Sequence, residues 1–248
     1  MDIAIIDYGV GNLRSAEKAF QHLGFDAALT RDPAELAKAK KIVLPGVGAF
    51  GHCMEQLRAQ GFVEPLLKEV AARKHLLGIC VGLQMLFEGS EESPGVAGLG
   101  LLKGTVRKFE NSKFKIQNSK LEDGGALPLT PRASTPVGPL PGGEGNGGDS
   151  AARSHGALKI PQIGWNVLKF PTDSRRHPLF VGVAPNTYVY FVHSYYAVPE
   201  NPRDVLAYSD YGGAFCASAG RANVSGVQFH PEKSQRAGLG ILGNFGRL

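Results

Sequence analysis

Apolar and polar positions alternate in the first half of the chain between strand-like and helix-like patterns. Residues 3–6 form a continuous apolar run, which is typical of a parallel strand covered on both faces. The pattern then predicts a helix ending at Leu23, a strand over 25–30, a short helix over 33–39 and a strand over 41–44. Because strands and helices alternate from the start, the sequence predicts a doubly wound sheet with right-handed crossovers.

Residues 75–88 combine a short apolar run with apolar positions that recur at helical spacing. This pattern predicts a buried strand, a sharp turn at Cys80 and an amphipathic helix. Gly78 and Gly82 flank Cys80 two residues away on either side, where a crowded turn leaves little room for side chains. The stretch therefore has the pattern of a nucleophile elbow.

Cys80 is the candidate nucleophile. The elbow would point its sulfur away from the sheet, near a helix N-terminus whose partial positive charge favours thiolate over thiol. The alternative is a buried structural cysteine, since free Cys is among the most buried residue types; the glycines and the strand-to-helix switch favour the nucleophile. Cys53 falls inside the first of two predicted helices, 50–60 and 63–73, and is expected in the core.

A base and an orienting group are expected from His230 and Glu232, two residues apart with the rigid Pro231 between them. In extended chain the two side chains point to the same side, so the carboxylate could hold the imidazole in one tautomer while its other nitrogen faces Cys80. Since His230 has this partner, His193 is expected to be a strand-end histidine satisfied by the backbone rather than a catalytic one.

The loop at residues 44–50 carries two glycines after the third predicted strand, at the sheet edge where ligands bind in such folds. Backbone N–H groups of Val47 and Gly48, with that of Val81 after the nucleophile, are candidate donors to the oxyanion of a tetrahedral intermediate. An ordinary glycine-rich turn is the alternative.

Length, charge and cysteine count exclude several classes of protein. With 248 residues and 43% apolar content, one α/β domain with a sizeable core is expected. The formal charge of +5 comes without a basic run interleaved with aromatics, and three cysteines lack a Cys-x-x-Cys spacing, so neither a nucleic-acid groove nor a metal site is predicted. Without a signal-peptide pattern or a bilayer-length apolar stretch, we expect a cytoplasmic enzyme. Gly9-x-Gly11 is not a dinucleotide fingerprint, because Arg14 occupies its third glycine position.

The composition changes after a predicted strand over 103–109. Residues 122–157 contain no aromatic residue, and 17 of the 36 are Gly, Pro or Ser. Such a segment cannot bury enough apolar surface to offset its ordering entropy. We therefore predict a disordered insertion over 111–157 within a single domain spanning 1–248.

The C-terminal third predicts strands joined by short turns, which is typical of antiparallel pairing. They cover residues 188–192, 204–209, 215–220 and 224–229, and a final helix covers 234–248.

Taken in order, the motifs resemble those of class I (triad) glutamine amidotransferases, in the branch formed by the glutaminase subunits of imidazole glycerol phosphate synthases. They are Tyr8-Gly9-x-Gly11-Asn12, Pro45-Gly46-Val47-Gly48, Gly78-Ile79-Cys80-Val81-Gly82-x-Gln84, Ile163-Gly164-Trp165-Asn166, His193-Ser194-Tyr195 and His230-Pro231-Glu232-Lys233. The resemblance covers 1–109 and 159–248. It implies a flavodoxin-like α/β fold: a mixed central sheet with helices on both faces and a C-terminal antiparallel portion. The connection over 111–157 is normally short in that branch.

The resemblance implies hydrolysis of glutamine to glutamate and ammonia through a γ-glutamyl thioester on Cys80, without a cofactor. The ammonia would pass to a (β/α)₈ cyclase partner in a heterodimer. That partner makes imidazole glycerol phosphate and an aminoimidazole carboxamide ribotide in histidine biosynthesis.

Further site residues follow from the resemblance alone. It implies substrate contacts from Gln84, Glu92, Ser194 and Tyr195, with Glu92 suited to the α-ammonium of glutamine; without it, Glu92 would be a solvated loop charge. It also implies an oxyanion hole in the loop that contains Val47 and Gly48. The positions carried over to the partner interface are Asn12, Trp165, Asn166 and Lys233.

Three alternatives stay open. The chain could be a free-standing cysteine hydrolase acting on γ-glutamyl compounds, or a non-catalytic regulatory subunit, which an intact triad argues against. It could also be the glutaminase of another amidotransferase, such as pyridoxal phosphate synthase, against which Ile163-Gly164-Trp165-Asn166 speaks.

Overall fold

The computed structural model describes residues 1–11, 13–110, 158–172 and 176–248. The predicted insertion at 111–157 and Asn12 therefore lie outside the described residues. The helices are α1 (Leu13–His22), α2 (Phe50–Ala59), α3 (Val63–Ala71), α4 (Val81–Met85) and α5 (Gln235–Arg247). The strands are β1 (Ile3–Ile6), β2 (Ala27–Thr30), β3 (Lys41–Gly46), β4 (His75–Cys80), β5 (Gly104–Lys108), β6 (Gln162–Val167), β7 (Tyr188–His193), β8 (Tyr195–Pro199), β9 (Val205–Asp210), β10 (Ala214–Arg221) and β11 (Val224–Val227).

The main sheet has the strand order β2-β1-β3-β4-β11-β10-β8-β5, with β9 pairing to β10. Strands β1 to β4 and β11 are parallel to their neighbours on that side, whereas β10, β9, β8 and β5 pair antiparallel. All four residues of β1 are fully buried, as expected for a strand covered on both faces. The predicted α/β fold with an antiparallel C-terminal portion is confirmed.

Helix α1 shows why the N-terminal half was predictable. Its buried residues are Leu13, Ala16, Ala19 and Phe20, which recur at the three- and four-residue spacing of one helix face. The Phe20 ring meets that of Phe245 on α5 at a centroid distance of 6.2 Å, so the first and last helices pack together. None of the helices in the described part of the chain is long and apolar enough to cross a membrane.

Three features of the C-terminal half differ from the prediction. Strand β11 runs parallel to β4 on one side, and its four buried residues are the signature of a strand enclosed on both faces. Strand β8 was not predicted, because only Ser194 separates it from β7 and no Gly or Pro marks the turn. Strand β6 was not predicted either; it pairs with β7 as a separate two-stranded sheet.

Candidate active site

Cys80 occupies a strained turn at the carboxyl end of β4. Its backbone has φ 56° and ψ −113°, a region that non-glycine residues adopt only when the surrounding structure holds them there. A Cβ on Gly82 would overlap the carbonyl oxygen of Leu44, and one on Gly78 would lie 2.6 Å from the carbonyl oxygen of Gly82. Both glycines are therefore required by close backbone approach across the elbow.

The helix that follows the elbow differs from the expected amphipathic one. Helix α4 has five residues, and residues 81–87 are all buried. It packs against α2 and against strands β3, β4, β8 and β11, so other elements of the protein enclose it. The prediction of an amphipathic helix is wrong because this helix lies inside the protein instead of on its surface.

His230 and Glu232 form a buried pair. Nδ1 of the imidazole lies 2.8 Å from Oε1 of the carboxylate, and the two side chains are only 6% and 8% exposed. The backbone N–H of His230 donates to the carbonyl of Tyr190 on β7 at 2.9 Å. The backbone of His230 is thus held by Tyr190, and its imidazole ring is held by the Glu232 carboxylate.

The parallel pairing of β4 and β11 brings this pair to the elbow. Val227 lies opposite Ile79 in the register, so the chain leaving β11 reaches His230 at the same sheet edge as Cys80. Burial lowers the pKa of His230, but hydrogen bonds with Cys80 and Glu232 and the negative charges of these two groups outweigh it and raise that pKa to about 10. The arrangement favours an imidazolium beside the sulfur.

The glycine loop lies beside the same edge, because Gly46 at the end of β3 is opposite Cys80 in the register. Gly48 has φ +86°, and Val47 is 38% exposed. Two side chains hold the loop's carbonyl groups: the Tyr8 hydroxyl donates to Pro45 at 2.7 Å, and the Cys53 thiol donates to Val47 at 3.2 Å. The loop is therefore positioned against the elbow by contacts that the sequence analysis did not find.

Tyr8, Cys53 and Cys216 keep their protons. Burial raises the pKa of Tyr8 well above its ordinary value, and burial raises that of Cys53 as well. Cys216 is fully enclosed, and burial raises its pKa to about 12. None of the three has a charge partner of the kind that His230 gives to Cys80, so burial acts on them as on inert buried groups.

The residues expected to contact substrate are distributed around the elbow. Gln84 is 2% exposed, and its Nε2 donates to the carbonyl of Tyr195 at 3.0 Å. Glu92 Oε2 accepts the N–H of Phe50 at 2.7 Å and so caps the first turn of α2. Ser194 lies between β7 and β8, just before Tyr195. The structure thus places the Glu92 carboxylate at the N-terminus of α2, beside the loop that leads from Val47.

His193 lies near the site but in different surroundings. Its Nδ1 is 2.8 Å from the carbonyl oxygen of Tyr195, and its ring packs against those of Phe109, Phe191 and Phe215 at centroid distances of 5.2, 5.5 and 5.3 Å. Burial lowers its pKa to about 4. The expectation of a strand-end histidine held by the backbone agrees with this contact.

Trp165 and Lys233 both lie near the ring of Tyr190. Both lie against the same ring: the indole of Trp165 is 46% exposed and meets the Tyr190 ring edge-on at 5.9 Å, while Nζ of Lys233 lies 6.0 Å from the centre of that ring. We call Trp165, Tyr190 and Lys233 the aromatic patch. Asn166 is turned elsewhere, with its Nδ2 donating to the carbonyl of Asp210 at 2.6 Å.

Gln228 is a candidate-site residue to which the sequence analysis gave no role. It is fully buried, and its Nε2 lies 3.9 Å from Sγ of Cys80. The signal available in the sequence was an amide side chain two residues before the candidate base. Across residues 1–11, 13–110, 158–172 and 176–248, no group of three or more His, Cys, Asp or Glu side chains is arranged to hold a metal ion.

Comparison with known proteins identifies the family. The model of the family described as Glutamine amidotransferase class-I matches residues 4–246. The chain belongs to the class-I glutamine amidotransferase family.

Within this family, the chain is similar to the subunits of one synthase. The chain is 45% identical to the imidazole glycerol phosphate synthase subunit HisH of Syntrophotalea carbinolica, over 99% of this chain and 100% of the relative. It is 42% identical to the subunit of the same name from Geobacter sulfurreducens, over 99% of this chain and 98% of the relative. The resemblance drawn from the motifs, to the family and to the synthase subunits, is confirmed.

Solved structures agree on the fold. A crystal structure of a glutamine amidotransferase gives a TM-score of 0.59 at 17% identity, covering 98% of this chain and 100% of that chain. PurLQS from Thermotoga maritima gives 0.60 at 15% identity, covering 98% and 96%. At these identities the likeness shows the fold alone.

Proposed function

We propose that this chain is the glutaminase subunit of an imidazole glycerol phosphate synthase, with Cys80 as nucleophile, His230 as base and acid, and Glu232 as the group that orients the imidazole. The observation that carries the assignment is the buried imidazole, bonded to a carboxylate at 2.8 Å and hydrogen-bonded to a cysteine in a strained turn. Nucleophile, base and orienting group in this order form a catalytic triad.

In the proposed reaction, the Cys80 thiolate attacks the side-chain amide carbon of glutamine and forms a C–S bond. The carbonyl oxygen becomes an oxyanion. When the tetrahedral intermediate collapses, the C–N bond breaks, and the His230 imidazolium gives its proton to the departing nitrogen, which leaves as ammonia. Water, deprotonated by His230, then attacks the thioester, and glutamate and the thiolate are released. The sum is glutamine plus water giving glutamate plus ammonia.

The oxyanion is proposed to bind backbone N–H groups of Val47 or Gly48 and of Val81. The pairing of Gly46 with Cys80 in the register supports this assignment, since it brings the loop next to the elbow. Loss of one such donor typically reduces the rate about a hundred- to a thousandfold. A loop that holds the wrong peptide orientation in the free subunit would therefore silence it until a partner aligns the donor.

The partner is proposed to be a (β/α)₈ cyclase that receives the ammonia, as the synthase-subunit name of the relatives suggests. The aromatic patch supports a docking surface here, because large exposed aromatic side chains are enriched at interfaces. Tyr190 connects this patch to the triad, since its carbonyl accepts the N–H of His230. Substitution of Trp165 or Lys233 should therefore weaken partner stimulation more than folding. Asn12 and Asn166 remain proposed interface positions, and a cytoplasmic location remains a prediction.

Glutamate release, measured with and without purified cyclase and its nucleotide substrate, tests the proposal. We expect the isolated chain to be nearly silent, the complex to turn over, and Cys80→Ala to abolish turnover in the complex. Glutamate release by Cys80→Ala, or a γ-glutamyl adduct on Cys53 or Cys216, would overturn the triad assignment. Full activity without partner, unchanged when cyclase and nucleotide are added, would instead indicate a free-standing hydrolase.

A further inference from the structure

Two fully enclosed side-chain amides lie behind the elbow. Gln84, on α4, is 2% exposed, and Gln228, just after β11, is 0% exposed. Nε2 of Gln84 is 3.0 Å from the carbonyl oxygen of Tyr195 and 3.1 Å from Oε1 of Gln228. Nε2 of Gln228 is 3.9 Å from Sγ of Cys80. The contacts form a continuous path from a main-chain carbonyl to the sulfur.

The direction of every hydrogen bond in this path is fixed by its first member. A main-chain carbonyl oxygen can only accept, so the atom of Gln84 that faces Tyr195 must be the NH₂ group. The second N–H of that group then requires an acceptor, which sets Oε1 of Gln228 towards Gln84. The NH₂ group of Gln228 consequently faces the sulfur.

We propose that Gln228 is a catalytic residue that donates an N–H to the Cys80 sulfur, and that Gln84 is the positioning residue that holds it in this orientation. The proposal rests on the nucleophile role assigned to Cys80 under the proposed function. An N–H directed at the sulfur favours its charged form, because a hydrogen bond to a charged group stabilises the charge. Gln228 thereby differs from His230 in its action on the nucleophile. Its amide is a neutral hydrogen-bond donor that cannot accept the proton of the thiol.

The arrangement also restricts what Gln84 can offer to glutamine. Both N–H groups of its amide are engaged within the chain, and Oε1 is the atom of this amide that takes no part in those two hydrogen bonds. The substrate contact expected of Gln84 is therefore an acceptor contact, suited to a donor such as an ammonium or amide N–H.

Several titratable groups face the sulfur and remain in every variant tested below. His230 hydrogen-bonds it and carries the Glu232 carboxylate behind it, while Tyr8 and Cys53 lie close enough to interact with its charge. Any change in the titration of Cys80 must therefore be measured as a difference between variants that share this set.

The test is the pH dependence of alkylation of Cys80 by iodoacetamide, with the modified peptide quantified by mass spectrometry and no glutamine present. In Gln228→Met, which keeps the length but removes the donor, we expect the midpoint of the profile to rise by about one pH unit. At pH values below the midpoint, this shift corresponds to about tenfold slower alkylation. Gln84→Met should shift the midpoint in the same direction by less, because Gln228 keeps its N–H but loses its fixed orientation.

Ser225→Ala is the matched control. Ser225 lies on β11, is 3% exposed and donates to the carbonyl of Leu76 at 3.3 Å, so this variant also loses a buried hydrogen bond, three residues before Gln228. Its alkylation profile should match that of the parent. If the Gln228→Met profile coincides with those of the parent and the control, the proposal is overturned.

Gln228→Glu covers the case in which Gln228→Met does not fold. It keeps the size of the side chain and replaces the N–H with a second oxygen, so the midpoint should rise by more than one unit; an unchanged midpoint would again overturn the proposal. Because the readout needs no glutamine, a parent chain that alkylates normally but releases no glutamate with its partner would refute the proposed function alone.

Discussion

Two buried histidines, His193 at the end of β7 and His230 three residues after β11, differ in what surrounds them. His230 is enclosed by a carboxylate and a sulfur, and its pKa is raised to about 10 in spite of burial. His193 is enclosed by three phenylalanine rings and a backbone carbonyl, and burial lowers its pKa to about 4. Burial is common to both sites, so charged neighbours decide which imidazole can carry a proton at neutral pH.

Nearness to the candidate site alone does not make a histidine a candidate base, because the charged groups around His230 are missing around His193 in the part of the chain that the structure describes. His193 reaches the site indirectly, because the carbonyl of Tyr195 that it contacts also accepts from Gln84. We propose that His193 holds the turn between β7 and β8, whereas His230 exchanges protons. The two roles predict different losses on substitution by the same residue.

The largest expected effect separates these roles in turnover. His230→Asn removes the base and should reduce partner-stimulated glutamate release at least about a thousandfold, since members of a triad lose function as a unit. His193→Asn keeps an amide N–H for the Tyr195 carbonyl and should change turnover by less than about tenfold. The measurement is the steady-state kcat of both variants in the complex. Equal losses of kcat would contradict the different roles proposed for His230 and His193.

The next effect concerns stability in acid. His193 has a pKa of about 4 in the folded chain, below the unfolded value of about 6.5, so the unfolded chain takes up the proton first. Its contribution to the free energy of unfolding is present above pH 6.5 and is lost as the pH falls towards 4. The loss is about 3 kcal/mol, at about 1.4 kcal/mol for each pKa unit.

Denaturant unfolding of the parent and of His193→Asn at pH 7 and pH 4 measures this contribution. Carboxylates and the other histidines titrate in both proteins, so the difference between their pH dependences isolates His193. His230 has the opposite sign: its stabilising contribution is complete below pH 6.5 and fades only as the pH rises towards 10. The prediction is wrong if both proteins lose the same stability between pH 7 and pH 4.

A smaller effect is expected from Glu232→Gln. The glutamine oxygen can still accept from Nδ1 of His230, so the orientation of the ring is kept, but the negative charge is lost. The pKa of His230 should fall, because one of the two groups that offset burial has gone. We expect turnover to fall about a hundredfold. An NMR titration of His230 checks the pKa, and an unmoved titration would show that Glu232 acts by geometry alone.

The sequence predicted the parts of the site that local chemistry determines. The elbow around Cys80 was recoverable from two glycines at a fixed spacing, and the pairing of His230 with Glu232 from a two-residue separation across a proline. The orientation of Gln228 was not, because it depends on Gln84 and Tyr195, which are 144 and 33 residues away in sequence. Contacts fixed by tertiary packing leave no periodic or spacing signal in the chain.

The fold likewise has features that local sequence predicts and features that only tertiary packing determines. Continuous apolar runs and helical repeats predicted the N-terminal parallel strands within a few residues, because each pattern reports the burial of its own element. Pairing direction in the C-terminal third needed more: β11 lies antiparallel to β10 but parallel to β4, and no local pattern distinguishes these neighbours. The single-domain prediction stays a prediction.

Cys53 and Cys80 are two buried cysteines with different surroundings, and substitution of Cys53 gives the smallest predicted effect. Cys53 is as buried as Cys80, but its thiol is used as a donor to the Val47 carbonyl at 3.2 Å, and burial raises its pKa. Cys53→Ala removes this donor and should lower turnover in the complex by less than about tenfold, because one bond of about 1 kcal/mol that steadies the loop is lost. Cys53→Ser restores a donor and should recover most of the loss. If the alanine and serine variants have equal kcat while their stabilities match, the thiol does not position the loop, and the Tyr8 hydroxyl on Pro45 is left as the side-chain contact that holds it.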